Sequence, residues 1–169
     1  MPKLMLFLLI LMPFRAFSYE FGGGLSLVEE SDDRLRIGFN AHVQSFGYEA
    51  NIYTFGRHFG PVRENSYLLS LGNYFSLPLF SDLYGSIGGA FLSEQTVLEF
   101  DSSDREHNLT QDQKNLGLFL SLKWVRTFSE KLYWRLTWDS AVFPAGFSGG
   151  ILLATGRKQF LSAQAGYIL

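Results

Sequence analysis

At 169 residues the chain suits one domain, and a formal net charge of −2 with no block of basic residues argues against nucleic acid as a partner. The absence of cysteine excludes disulfides and thiolate metal sites, and no other metal-ligand cluster or cofactor motif is visible, so neither a metal nor a cofactor is expected. The surplus of aromatics (17 Phe, 8 Tyr, 3 Trp) beside 17 Gly suits short strands separated by turns.

Residues 1–18 read as a separate unit: Lys3 supplies a positive start, Leu4 to Phe14 is nearly all apolar, and Ala16-Phe17-Ser18 places small residues where a signal peptidase reads them. This pattern predicts an exported precursor cleaved after Ser18, with residues 19–169 as the mature domain. The apolar run is short of the roughly 20 residues that a spanning helix needs.

After Ser18 the dominant signal is alternation with a period of two. Phe21 to Val28 sets Phe21, Gly23, Leu25 and Leu27 against Gly22, Gly24, Ser26 and Val28. The second strand puts Leu35, Ile37, Phe39, Ala41 and Val43 on one face and Arg36, Gly38, Asn40, His42 and Gln44 on the other. Tyr48 to Phe55 is ambiguous in phase, because Tyr53 and Phe55 compete with Ala50 and Ile52 for the apolar face. Tyr67 to Phe75 opposes Leu69 and Leu71 to Ser70 and Gly72, and the Gly-rich segment Leu83 to Phe91 puts Leu83, Ile87 and Phe91 together. The sixth strand alternates Leu116, Leu118, Leu120, Leu122 and Trp124 with Gly117, Phe119, Ser121, Lys123 and Val125. In the seventh, Leu132, Trp134, Leu136 and Trp138 alternate with Tyr133, Arg135, Thr137 and Asp139. The last strand alternates Leu161, Ala163, Ala165, Tyr167 and Leu169 with Phe160, Ser162, Gln164, Gly166 and Ile168.

Short turns are expected near Ser45-Phe46, Leu77 to Asp82 and Ser129-Glu130, and longer polar or Gly-rich loops over His58 to Asn65, Ser93 to Asn115 and Pro144 to Arg157; the connection Ser31 to Arg34 is short where a long loop would be allowed. An even strand count with short turns at one end and longer loops at the other predicts an all-β fold, an eight-stranded antiparallel up-and-down transmembrane barrel. A soluble β-sandwich or lipocalin-like barrel is the alternative, but it would carry many Lys, Glu and Thr on its wet face. Here the polar face is rich in Gly, Ser, Asn and Gln, which suits a narrow lumen.

The apolar face is therefore expected to meet lipid: Leu35, Ile37 and Phe39 on the second strand, Leu118, Leu120, Leu122 and Trp124 on the sixth, and Leu132, Trp134, Leu136 and Trp138 on the seventh. Arg36, Asn40, His42, Glu49, Lys123, Arg135 and Asp139 are expected in a polar lumen network, since buried charges left unpaired cost several kcal/mol each. Eight strands leave an interior only just wide enough for side chains, and Phe119, Tyr133 and Phe160 compete with those residues for it, so the lumen is predicted to be plugged.

Taken together, the leader, the eight alternating segments and the carboxyl end resemble the small eight-stranded outer-membrane proteins of the OmpA and OmpX type, over the whole mature chain and by pattern rather than by motif. The resemblance implies residence in the outer membrane of a Gram-negative cell, with outer-membrane lipid and lipopolysaccharide as surroundings and the barrel-assembly machinery as a partner. Gly166-Tyr167-Ile168-Leu169 resembles the terminal signal that this machinery reads, with Tyr167 in the aromatic position and Leu169 where an aromatic is usual.

Three features bear on catalysis. Gly146-Phe147-Ser148-Gly149-Gly150 matches the G-x-S-x-G expression, but no helix pattern follows, so Ser148 is expected in a flexible loop. Some barrels of the resembled kind are lipid A deacylases or palmitoyltransferases, and the deacylase type carries a His-x-Ser pair, which none of His42, His58 and His107 forms here. A site assembled from His107, Asp104 and Ser148 is the weak remaining option, and His42, beside Asn40, Gln44 and the hairpin partner Asn51, is read first as part of the lumen network. The expected role is structural or surface interaction through the outer loops, with the loop ligand unidentified; a lipid A-modifying enzyme and a narrow porin are the alternatives.

Overall fold

The computed structural model describes residues 19–30, 35–59, 62–77, 82–98, 109–148 and 151–169. The expected signal peptide and its cleavage point lie outside them, as do His107 and Asp104. Eight strands follow in chain order: β1 (Glu20–Glu30), β2 (Leu35–Ser45), β3 (Tyr48–Phe59), β4 (Val62–Ser76), β5 (Leu83–Leu98), β6 (Leu109–Thr127), β7 (Leu132–Ser148) and β8 (Ile151–Ile168). Each pairs antiparallel with the next, and β8 returns to β1 through Glu20↔Ile168 to Glu30↔Lys158, closing the barrel.

Turn chemistry sets the register at the end that also holds both termini of the barrel. Between β2 and β3 the two-residue link Phe46-Gly47 has positive φ at both positions, 53° and 76°. That is the geometry whose twist matches paired strands, and glycine supplies it at the second position without steric cost. At the β6–β7 turn, Ser129 Oγ accepts from the Leu132 amide at 3.1 Å and the Lys131 amide at 3.3 Å, so the tight connection satisfies its own backbone.

The outer wall carries the apolar alternation. Leu35, Ile37, Phe39, Leu118, Leu120, Leu122, Trp124, Leu132, Leu136 and Trp138 are all exposed, while Trp134, half-buried, points the same way and meets Trp124 edge-on at 4.9 Å. Aromatic pairs gather at the turn end: Tyr19 with Phe46 at 5.8 Å and Phe21 with Tyr167 at 5.9 Å. On several strands the apolar wall gives way toward the opposite end to Glu29, His58, Asn65, Gln95 and Lys114. β3 resolves its ambiguity by turning Tyr53 and Phe55 inward and Ile52 outward, because Glu49 and Asn51 share the inner face and both rings pack on Phe160, at 4.4 and 5.6 Å.

All three expected long loops are largely strand among their described residues, and in the first His58 and Phe59 pair with Arg63 and Val62. Ser93 to Leu98 pairs with Leu109 to Lys114, and Phe143 to Ser148 pairs with residues of β8 from Ile151 to Gly156, with register shifts on both sides of Pro144. Above the apolar wall both faces of these hairpins are polar or mixed, so the alternation that marks a strand in sequence fades while the backbone ladder continues. Pro144 has no N–H to give that ladder, and the shift falls where it sits. Ser148 accordingly ends a strand rather than lying in a free loop.

Leu136 lies in the middle of the outer wall, in register with Trp124 and Ala163. Leu136→Arg is expected to cost about 2–4 kcal/mol in bilayer-reconstituted protein, read as a fall in the urea unfolding midpoint, whereas Thr137→Ser, on the inner face, should shift it far less.

Candidate functional site: a three-tiered lumen

Among the described residues, the inner wall of the barrel carries three tiers of side chains along the axis. Nearest the turn end is an ionic tier. Glu49, from the start of β3, accepts from Arg135 Nη1 at 2.6 Å through one oxygen and from Lys123 Nζ through the other, and all three side chains are buried. Arg135 is further held by Gln164 Oε1 and by Asn51 Oδ1, the latter at 3.2 Å. Lys123 also lies 5.3 Å from the centre of the Tyr74 ring.

Asp139 anchors an adjoining cluster. Its carboxylate accepts from the Tyr53 hydroxyl at 2.5 Å, from Thr137 Oγ1 at 2.9 Å and from the Ser121 hydroxyl. Glu49 and Asp139 balance Lys123 and Arg135, so this part of the lumen is neutral overall. Opposing charges at these distances offset the loss of water best when further hydrogen bonds are made, and here Ser121, Thr137 and Tyr53 supply them to Asp139, and Asn51 and Gln164 to Arg135. Asn40 donates to Ser26 Oγ at 2.5 Å, and Ser26 shares a hydrogen bond with Ser162 at 2.8 Å.

His42 lies at the turn-end mouth, where Nε2 is hydrogen-bonded to the Tyr133 hydroxyl. Glycine makes room for it: a Cβ at Gly22 would lie 2.6 Å from His42 Cε1. Ser148 terminates the opposite end of β7, so the structure does not bring His42 to it.

The middle tier is apolar. Val28, Phe55, Leu68, Leu92, Phe119, Phe143 and Phe160 are buried in one cluster with Tyr53, Ala90 and Ala141. Above it lies a polar vestibule of about 320 Å³ at the loop end. Arg36 and Arg57 both pair with Glu64, at 3.0 and 2.8 Å, and Lys158 Nζ binds Glu94 Oε1 at 2.8 Å while lying 5.7 Å from the Phe55 ring centre on the apolar tier.

The expected lumen residues therefore divide. Arg36 stands in the vestibule with Glu64, separated from the Glu49–Lys123–Arg135 group by the apolar tier, so the polar lumen residues form two groups. Sequence reasoning placed Asn51 beside His42 but did not assign Tyr53, Gln164, Arg57, Glu64, Glu94 or Lys158 to these networks. The phase of each strand would have placed several of them inside, but cross-lumen pairing joins residues 74 apart in Glu49 and Lys123 and 64 apart in Glu94 and Lys158, which no local pattern encodes.

The architecture matches solved outer-membrane barrels. Ail, the attachment invasion locus protein of Yersinia pestis, crystallised with the heparin analogue sucrose octasulfate, superposes with a TM-score of 0.57 at 15% identity, over 92% of this chain and all 100% of that one. OprG of Pseudomonas aeruginosa gives 0.53 at 12% identity, covering 92% of this chain and 97% of that one. Neisserial surface protein A gives 0.50 at 9% identity, covering 89% and 96%. Neither a family model nor a curated protein matches the chain. At such identities the likeness is one of fold: the chain has the all-β, eight-stranded closed barrel of the small outer-membrane proteins.

Two outcomes follow from the tiers. Glu49→Gln leaves Lys123 and Arg135 buried with half their counter-charge gone, and should lower unfolding free energy by about 3–5 kcal/mol, measured by denaturant titration in micelles. In planar bilayers the unmodified protein should give no stable conductance steps, because the apolar and ionic tiers close the lumen in series; regular steps would show that the tiers part.

Proposed function

We propose that the protein is an integral outer-membrane barrel whose role is surface interaction, exerted through a sheet that stands above the apolar wall. The observation that carries this reading is an unmatched strand edge. Pairing between β6 and β7 stops at Leu118↔Val142, yet β6 continues outward to Leu109, bonded among the described residues to β5 on one side only. Similarly, β2 and β3 stop pairing at Gly38↔Phe55, while β3 continues to Phe59 beside β4. The outer parts of β3, β4, β5 and β6 thus form a four-stranded sheet that leaves the barrel wall, with β6 residues 109–117 as its edge.

Location in the outer membrane is supported by the chemistry of the wall. Exposed Leu, Ile, Phe and Trp encircle the barrel with an aromatic cluster at one margin and polar residues at the other, the arrangement that a lipid-embedded barrel requires. A bare strand edge offers a row of N–H and C=O groups to which an extended polypeptide can add as a further strand. The side chains flanking this edge, Thr110, Gln111, Asp112, Gln113, Lys114 and Asn115, are polar, which keeps it soluble and lets main-chain bonding dominate the contact. The reading thus moves from free loops, the sequence-based expectation, to an ordered sheet.

The natural chain has no cysteine, so single Cys variants report position cleanly. A membrane-impermeant maleimide added to intact cells should label Lys114→Cys, and should label Glu130→Cys, at the turn end, only after the envelope is opened. Successive backbone groups on a strand point to opposite neighbours, so of Gln113→Pro and Lys114→Pro one removes a bond to β5 and the other an N–H on the open edge. The variant that keeps wild-type stability should bind reduced, carboxymethylated α-lactalbumin, a chain held extended, at least tenfold more weakly than wild type. Absence of binding by the wild type to this unfolded polypeptide would remove the edge-addition reading.

A further inference from the structure

We infer that the outer face of the projecting sheet binds the phosphate of an outer-leaflet glycolipid, through Tyr67, Ser93 and Lys114 at the margin of the apolar wall. The inference rests on the outer-membrane placement proposed above. The three residues form one row, with Tyr67↔Ser93 joining β4 to β5 and Ser93↔Lys114 joining β5 to β6. Two positions nearer the turn end on the same strands are Leu69, Phe91 and Leu116, a row of exposed apolar side chains that is likewise in register. Two residues rise roughly 7 Å along a strand, and less along the axis because barrel strands are tilted. The polar layer on each side of a bilayer is about 5–7 Å deep, so the row lies among lipid headgroups when the apolar row lies in hydrocarbon.

The row is shaped for a compact anion. Tyr67 and Lys114 are long and exposed, and Ser93 between them is short, which leaves a saddle with a phenol on one side and an ammonium on the other. Among the described residues none of the three side chains has a hydrogen bond, ring contact or ion pair, so their donors are uncommitted. A phosphate has oxygens enough to accept from all three, and the charge-assisted bond to the ammonium is the strongest of them. Thr54, beside Tyr67 on β3, is neutral; Asp112, two positions beyond Lys114 on the same face, is the carboxylate that opposes an anion here. A soluble anion would use the saddle alone, whereas a lipid also covers Leu69, Phe91 and Leu116 with its acyl chains, and that added burial favours the lipid.

The test is native mass spectrometry of the full mature barrel, refolded without lipopolysaccharide in a non-ionic detergent. It is titrated with bisphosphorylated lipid A or with the same lipid stripped of its phosphates. The phosphorylated form is expected to bind, and the stripped form to bind at least tenfold more weakly. Lys114→Gln should reduce lipid A affinity at least tenfold, and Tyr67→Phe severalfold. Asp112→Asn removes the opposing carboxylate and should raise it severalfold, an opposite sign that general loss of folding cannot imitate. Inorganic phosphate in large excess should leave lipid A bound; displacement would assign the saddle to a soluble anion and overturn the proposal. No binding of lipid A, equal binding of the stripped lipid, or wild-type affinity in Lys114→Gln would also overturn it. Tyr67 lies on β4, away from the open β6 edge, so Tyr67→Phe should still bind reduced, carboxymethylated α-lactalbumin as wild type does, which separates the two sites. Labelling of Lys114→Cys on intact cells, together with no lipid A binding by the wild type, would overturn the phosphate site and leave the membrane placement standing.

Discussion

A wall of exposed apolar side chains around a continuous β-ladder can persist only if the ladder has no free edge within that wall, because an N–H or C=O facing hydrocarbon has no water to bond. Closure of β8 on β1 meets this constraint, and much else follows from it. Side chains on successive positions then point alternately out and in, so the outward half must be apolar and the inward half must fill a narrow tube. With eight strands that tube has space for side chains and little more.

Filling the tube creates the second problem, which is electrostatic. Lys123, Arg135, Glu49 and Asp139 are each almost wholly removed from solvent, and their mutual neutralisation is geometrically possible because strands on different sides of the barrel face one another across a few ångströms. Neutral side chains around them add hydrogen bonds to Asp139 and Arg135. A layer of Phe, Leu and Val then separates this buried group from the wetter vestibule. The order of the tiers gives the two ends of the barrel different chemistry: a tight, glycine-accommodated His42–Tyr133 contact at one, and a charged cup beneath projecting strands at the other.

Departure of the sheet from the closed wall occurs where the constraint relaxes. Beyond the Leu116↔Phe91 pair the β6 residues from Asn115 to Thr110 are polar, so an edge there can be bonded by water and no longer demands closure. The ladder is therefore closed over most of the apolar exterior and, among the described residues, open-edged beyond it.

Alternation in the sequence by itself determined the number of strands, the inward and outward faces of β2, β6, β7 and β8, and the inward placement of Arg36, His42, Lys123, Arg135 and Asp139, because side-chain direction in a strand is a local property with a period of two. It left β3 ambiguous, since Tyr53 and Phe55 are as apolar as the outer wall and go inside only because Phe160 waits there. It also missed the outer reaches of β3 to β8, where the ladder continues without a clear hydrophobic face to mark it. Which charges meet was decided by tertiary structure alone: Glu49 finds Lys123 and Arg135, and Arg36 finds Glu64 in a separate tier, because barrel closure and strand tilt bring distant strands to one height, and that height is not written in any local stretch of chain.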